Sequence, residues 1–385
     1  MKRISLIAIM ALMGIGSVAA KSSTTLPIVG EVVKATNPLI QYVGRVSFAK
    51  NETASFNFPG TSILARFQGS SLKMICRPMT GYFMAQVDGC EPFKVGFNAE
   101  RDSVVTVAAA LPKGEHQVKL MYVIEGLFRT PEFRGFVLDK GCSLVKSPDL
   151  PERKIEFIGN SITCGYGVES IEMTDPFEDE TENHWLTYAN IVSDSLNAQH
   201  TSISRSGIGV YRNYDGPKAG SDENMPWQYE YTLFNKHDEK WDFNKYQPQL
   251  VCINLGTNDL STNNYDIAHY EKNYRMFLTT VRSKYPNAKI VLITGPMLGE
   301  KESGEQREVL DRICSDANKK GFTLPEEVRK ARKGKNKGDK DIYRFDFTFQ
   351  TGDLGYGASW HPSKLQHQKM ADELLPFLRN LMGWE

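Results

Sequence analysis

Near Pro148 and Pro151 the chain changes its rhythm, and that change limits what it can fold into. Before it, short runs with period-two character recur at 42–48, 54–58, 62–67, 82–87, 103–107 and 117–123. Gly, Pro, Asn and Asp punctuate them, as at Pro59-Gly60, Asp88-Gly89 and Pro112-Lys113-Gly114. Many short strands separated by turn residues predict an antiparallel β-sandwich, jelly-roll-like in character. After Pro151, apolar strands at 155–158, 201–204, 250–255, 290–294 and 342–347 alternate with helical apolar spacing at 185–196, 270–285 and 305–319. That alternation predicts βαβ units, a parallel sheet covered on both faces, and ligand binding beyond the carboxyl ends of the strands.

The division is then a β-sandwich over 21–150 and an α/β domain over 151–385, about what 385 residues predict. Residues 1–20 carry Lys2 and Arg3, an apolar stretch from Ile4 to Ile15 and small residues up to Ala20. They read as a signal peptide cleaved near Ala20, which implies a secreted or periplasmic protein. The apolar stretch is too short for a membrane span. The formal net charge of +0 gives no electrostatic reason to expect nucleic acid or an anionic membrane as partner. The six cysteines form no CxxC pair, which argues against a metal site, and Cys76 with Cys90 is the first pairing to expect if a disulfide forms. Cys252, inside an apolar strand, reads as a buried free thiol.

The α/β half opens on Lys154-Ile155-Glu156-Phe157-Ile158-Gly159-Asn160-Ser161. Gly159 ends the apolar run and permits a backbone geometry that a side chain would resist. Ser161 follows at the strand's carboxyl end, as a helix-capping serine or as a nucleophile beside backbone N–H donors. A nucleophile needs a base. Of seven histidines, His116 lies in the β half, while His184, His200 and His269 read as surface residues at element edges. His361 differs, standing after the last strand in Gly357-Ala358-Ser359-Trp360-His361-Pro362, at the same sheet edge as Ser161. The strand ending at Leu255 runs into Gly256-Thr257-Asn258-Asp259, where the Asn258 amide is either an oxyanion donor or part of an Asx turn. Ser206-Gly207-Ile208-Gly209, after the second strand, offers an unobstructed backbone N–H. The aromatic segment 211–246 reads as an ordered loop rimming a pocket, and the Lys-rich run 329–340 as a solvated insertion.

Gly159-Asn160-Ser161, Ser206-Gly207, Gly256-Thr257-Asn258-Asp259 and His361-Pro362, in this order, resemble the motif blocks of the SGNH (GDSL-like) hydrolase superfamily. With Gly-Asn-Ser-Ile-Thr as first block and a β-sandwich in front, the chain is similar to family 2 of the carbohydrate esterases, which deacetylate xylan and glucomannan. The resemblance implies Ser161 as nucleophile and His361 as general base and acid. It implies an oxyanion hole from the N–H groups of Ser161 and Gly207 and the amide of Asn258, with Gly209 as rival to Gly207. No cofactor is implied; the expected partner is an acetylated carbohydrate. Where the superfamily usually carries Asp, three residues before the histidine, this chain has Ala358. Family 2 is similar in including members with a Ser–His dyad, so the resemblance implies a dyad whose imidazole is oriented by a backbone carbonyl, with Asp353 as a possible remote acid. Trp360, Tyr211 and Trp227 are candidates to stack on a sugar ring. Two other readings share these residues: an esterase acting on a lipid, thioester, sialate or cell-wall glycan ester, and a catalytically idle carbohydrate-binding protein.

Overall fold

The computed structural model describes residues 28–50, 52–100, 103–262, 264–322, 330 and 338–385. The expected signal peptide and most of the Lys-rich run lie outside them. No described helix is long and apolar enough to cross a membrane.

Two antiparallel sheets form the front half. One is built on Glu132–Leu138, flanked by Glu31–Lys34 and Leu72–Cys76. The other is built on the long pair Ser62–Gly69 and Gly114–Tyr122. Phe67, Phe83, Leu120 and Tyr122 from one sheet and Leu72, Met74, Phe133 and Phe136 from the other share a single apolar core, which makes the arrangement a sandwich.

The back half is a five-stranded parallel sheet in the order Ala198–Ser204, Arg153–Gly159, Leu250–Asn254, Lys289–Thr294, Ile342–Asp346. Its central strands read as near-continuous apolar runs because helices cover both faces. Ile267–Lys284 and Glu300–Lys320 contribute Tyr274, Phe277, Val309 and Ile313 to one apolar layer. Tyr188–Ser195 and Lys364–Met382 contribute Tyr188, Val192, Met370 and Leu374 to the other. The chain order reverses between Arg153–Gly159 and Leu250–Asn254, and a crevice opens at such a switch point. Gly159 pairs with both Ser204 and Asn254, so three strands end at one level. Ser161, Ser206-Gly207 and Asn258 therefore leave the sheet side by side.

The segment 211–246 is ordered, as expected, and at its start Tyr214 lies beside the site, its N–H donating to Gly207 O at 2.8 Å. It folds into a short helix, Met225–Gln228, and a hairpin of Tyr231–Leu233 with Lys236–Lys240, and it fastens the two halves together. Arg45, fully buried and contributed by the sandwich half, lies within 5.6 Å of the ring centroids of Phe58, Tyr229, Trp241 and Phe243. Its Nη1 donates to the Tyr229 carbonyl and, at 2.8 Å, to that of Tyr231. Asn57 Nδ2 donates to Asn235 Oδ1 at 2.7 Å.

The Cys76–Cys90 pairing is not made. Cys76 is buried in the sandwich core, Cys90 sits exposed on a turn, and all six cysteines are free, Cys252 among them as expected. His184 and His200 are not surface residues: both are buried, their Nε2 atoms 3.0 Å apart.

Candidate active site

Gly159 ends its strand for a reason of space. Its φ is not in the left-handed region, but a Cβ there would come within 2.1 Å of Thr163 Oγ1. The chain then turns into a four-residue helix, Ser161–Cys164. The capping residue is Asn160, whose side-chain oxygen accepts the Ile162 N–H at 3.0 Å. Because Asn160 does the capping, the Ser161 hydroxyl is left for other work. It lies 2.8 Å from His361 Nε2.

His361 is held from the other side by two carbonyls. Its Nδ1 is 3.1 Å from both the Ala358 and the Ser359 carbonyl oxygens. Carbonyl oxygens only accept, so Nδ1 carries the proton, and Nε2 of the neutral ring is the acceptor for Ser161 O–H. Aiming two successive carbonyls at one nitrogen takes an unusual backbone. Ser359 and Trp360 both have positive φ, 50° and 59°, a geometry costing of the order of 1 kcal/mol or more per residue. The surrounding bonds hold it: Ala358 N–H donates to Gly167 O at 3.0 Å, Gly357 N–H to His361 O at 2.8 Å, and Trp360 N–H to Met173 O at 3.2 Å. Tyr166 stacks on the imidazole with centroids 4.1 Å apart. Burial lowers the His361 pKa to about 4, against the opposing pull of the two carbonyls. Asp353 is exposed and accepts a hydrogen bond from Thr351 Oγ1 at 2.8 Å; among the described residues it has no contact with His361.

The turn expected to supply an oxyanion donor has nearly every backbone N–H occupied. Gly209 N–H donates to Asn213 Oδ1 at 3.2 Å. The N–H groups of Val210, Tyr211 and Arg212 all converge on the buried Asp259 carboxylate, at 2.8 to 3.1 Å. Ser206 N–H donates to Glu125 Oε2 at 2.6 Å. Asn258 Nδ2 donates to Ile208 O at 2.8 Å, which fixes the amide and leaves its second N–H for a ligand. Among the described residues no acceptor is found for Ser161 N–H or Gly207 N–H. Gly207 has φ +74°, the left-handed region. With its rival's N–H engaged, the geometry favours Gly207 over Gly209.

The expected sugar platforms divide. Trp360, beside the histidine, is 52% exposed. Tyr211 is buried, and its hydroxyl accepts the Asp266 N–H at 2.8 Å, so its ring is packed away as core. Trp227 packs on His237 and Tyr231 of the interdomain hairpin. The aromatic that reaches the site from this segment is Tyr214, 61% exposed, whose N–H donates to Gly207 O at 2.8 Å. Sequence reasoning did not single it out, because nothing in its spacing separates it from its buried neighbours. Asp259 was visible inside the Gly256-Thr257-Asn258-Asp259 block, but its grip on the turn is a tertiary fact. Exposed Met173, whose carbonyl accepts the Trp360 N–H, extends the apolar margin beside Trp360.

Fold and site together define an α/β domain of the SGNH type with a Ser–His pair at its topological switch point, preceded by a β-sandwich. Residues 42–148 match the family described as carbohydrate esterase 2 N-terminal, and residues 155–374 match GDSL-like lipase/acylhydrolase. Among curated proteins, the chain is 34% identical over 351 residues to cellulase/esterase CelE of Acetivibrio thermocellus, covering 90% of this chain and 40% of that longer protein. It is 27% identical to an acetylxylan esterase/glucomannan deacetylase of Cellvibrio japonicus, covering 91% of each. Among solved structures, a family two carbohydrate esterase from Clostridium thermocellum in complex with cellohexaose superposes with TM-score 0.79 at 33% identity, covering 90% of this chain and all of that one. The family two carbohydrate esterase from Cellvibrio japonicus follows at TM-score 0.78 and 25% identity, over 92% of this chain and 98% of that one. The chain belongs to carbohydrate esterase family 2, the two-domain branch of the GDSL-like acylhydrolases, and is a carbohydrate esterase.

Proposed function

We propose that the protein removes O-acetyl groups from plant polysaccharides such as xylan and glucomannan, or from their oligosaccharides, through an acetyl-enzyme formed on Ser161. Ser161 Oγ attacks the acetyl carbonyl while His361 Nε2 accepts its proton. The N–H groups of Ser161 and Gly207 and the Asn258 amide receive the oxyanion. His361 then gives the proton to the departing sugar oxygen, which leaves as the hydroxyl, and a water activated by the same imidazole releases acetate. Among the described residues no carboxylate contacts His361 Nδ1; the Ala358 and Ser359 carbonyls hold the ring in its working tautomer. The observation that carries this reading is the 2.8 Å contact between His361 Nε2 and Ser161 Oγ, on a histidine whose other nitrogen is committed as donor.

The substrate class rests on two supports. The related Cellvibrio japonicus proteins are named acetylxylan esterase/glucomannan deacetylase. The exposed Trp360 and Tyr214 provide aromatic faces of the sort on which a sugar ring packs. The proposal includes a division into sandwich 21–150 and catalytic domain 151–385, and export directed by residues 1–20. Acetate release from acetylated xylan, acetylated glucomannan and a long-chain acyl ester, for wild type and S161A, tests it. Release from the polysaccharides that S161A abolishes is the expected result. Preference for the long-chain ester overturns the carbohydrate assignment.

A further inference from the structure

Glu125 belongs to the sandwich half, three residues past the Gly114–Tyr122 strand, yet its carboxyl is buried at the back of the active site. Its Oε2 accepts the Ser206 N–H at 2.6 Å and faces Cys164 Sγ, of the nucleophile's own helix, at 3.7 Å. Its backbone N–H donates to Glu182 Oε2 at 3.0 Å. The ligating atoms of Glu125, Cys164 and Glu182 all lie within 4.8 Å of one another. Burial raises the pKa of all three, Cys164 and Glu182 most strongly.

This placement matters because Ser206 immediately precedes Gly207. The turn that carries the Gly207 N–H is fixed downstream by Asp259, which takes three consecutive N–H groups from 210 to 212. Upstream, the side chain that takes hold of its backbone is Glu125. A short bond there sets where the turn begins, and so where the free N–H of Gly207 points. We propose that Glu125 is a positioning residue for the oxyanion hole, making the β-sandwich a working part of the catalytic site rather than an appended module. Its carboxyl acts as an acceptor on Ser206 and touches no reacting atom. The consequence falls on the transition state: a Gly207 N–H displaced from the developing oxyanion costs turnover while leaving substrate contacts in place.

This inference rests on the acyl-transfer reading above, and one experiment separates the two. Steady-state hydrolysis of an aryl acetate is measured for wild type, E125A, E125Q and E125D, with rates divided by active sites counted by titration of Ser161 with a fluorophosphonate. An inactive wild type is a failure of the proposed function. With an active wild type, the expected result for E125A is a loss in kcat per titrated site of about 10- to 100-fold, with KM nearly unchanged. E125Q, whose amide oxygen still accepts the Ser206 N–H, recovers most of that loss. Should E125A not fold, E125D carries the same comparison, since it withdraws the acceptor by one methylene. An E125A or E125D enzyme within about twofold of wild type in kcat per site overturns the inference. So does an E125Q enzyme as impaired as E125A, because the role would then not be that of a hydrogen-bond acceptor.

Discussion

In the proposed mechanism His361 combines two requirements that pull against each other. A base has to be unprotonated before the reaction and has to bear a proton during it. Burial beside Tyr166 meets the first, holding the free imidazole neutral by lowering its pKa to about 4. The carbonyls of Ala358 and Ser359 serve the second, since both accept from Nδ1 and favour the charged ring. The sign of the pH dependence follows. Protonating His361 removes the base, so kcat/KM falls as pH drops through the free enzyme's pKa, and a lowered pKa moves that fall to acid pH. In a pH–rate profile of kcat/KM, the acid limb is expected well below 6.5, the ordinary histidine value. A midpoint at or above 6.5 contradicts the burial argument. Much of this site was legible in the sequence. Ser161, Asn258 and His361 each stand just past a strand in a turn-forming context, and the resemblance to the superfamily marked Ala358 as standing where an acid is usual. The unreadable part was the backbone: positive φ at Ser359 and Trp360 has no signature in residue type, since neither is glycine.

At the level of elements, the parallel strands were legible because burial on both faces writes them as apolar runs. Several sandwich strands were not. Leu72–Cys76 places Lys73 among buried neighbours, and Glu132–Leu138 begins with a buried glutamate that accepts from Lys50 and Arg134. Polar residues whose partners come from elsewhere in the fold break the alternation that marks a strand. The aromatic segment 211–246 also serves as an interface, a role its composition does not separate from rimming a pocket, because Tyr and Trp mark both. Here Tyr229, Trp241 and Phe243 enclose Arg45, whose charge opposes the rise that burial imposes on the pKa of Glu156. Removing that cation leaves the Tyr229 and Tyr231 carbonyls without the guanidinium donor and the buried Glu156 without the charge that opposes its desolvation. R45A is therefore expected to cost about 3 kcal/mol of stability, read as a lower denaturation midpoint in urea. A change within about 0.5 kcal/mol, the range of ordinary surface substitutions, contradicts the clasp.

On the scale of the whole molecule, the sandwich and the parallel domain share one functional edge. The strands bring Ser161, Gly207, Asn258 and His361 to the switch point of the sheet. The sandwich contributes Arg45 to the clasp and Glu125 to the oxyanion turn. This shared construction could not be read along the chain, because its contacts join residues 81 and 186 positions apart and leave no local pattern. The central claim is that Ser161 and His361 act as one unit. It is tested most directly by kcat/KM on an aryl acetate for S161A, H361A and the double variant S161A/H361A. Each single change is expected to cost roughly 10⁴- to 10⁶-fold, and the double about as much as one alone, because removing either partner disables the pair. Near wild-type activity in either single variant, or losses that multiply in the double, would contradict it.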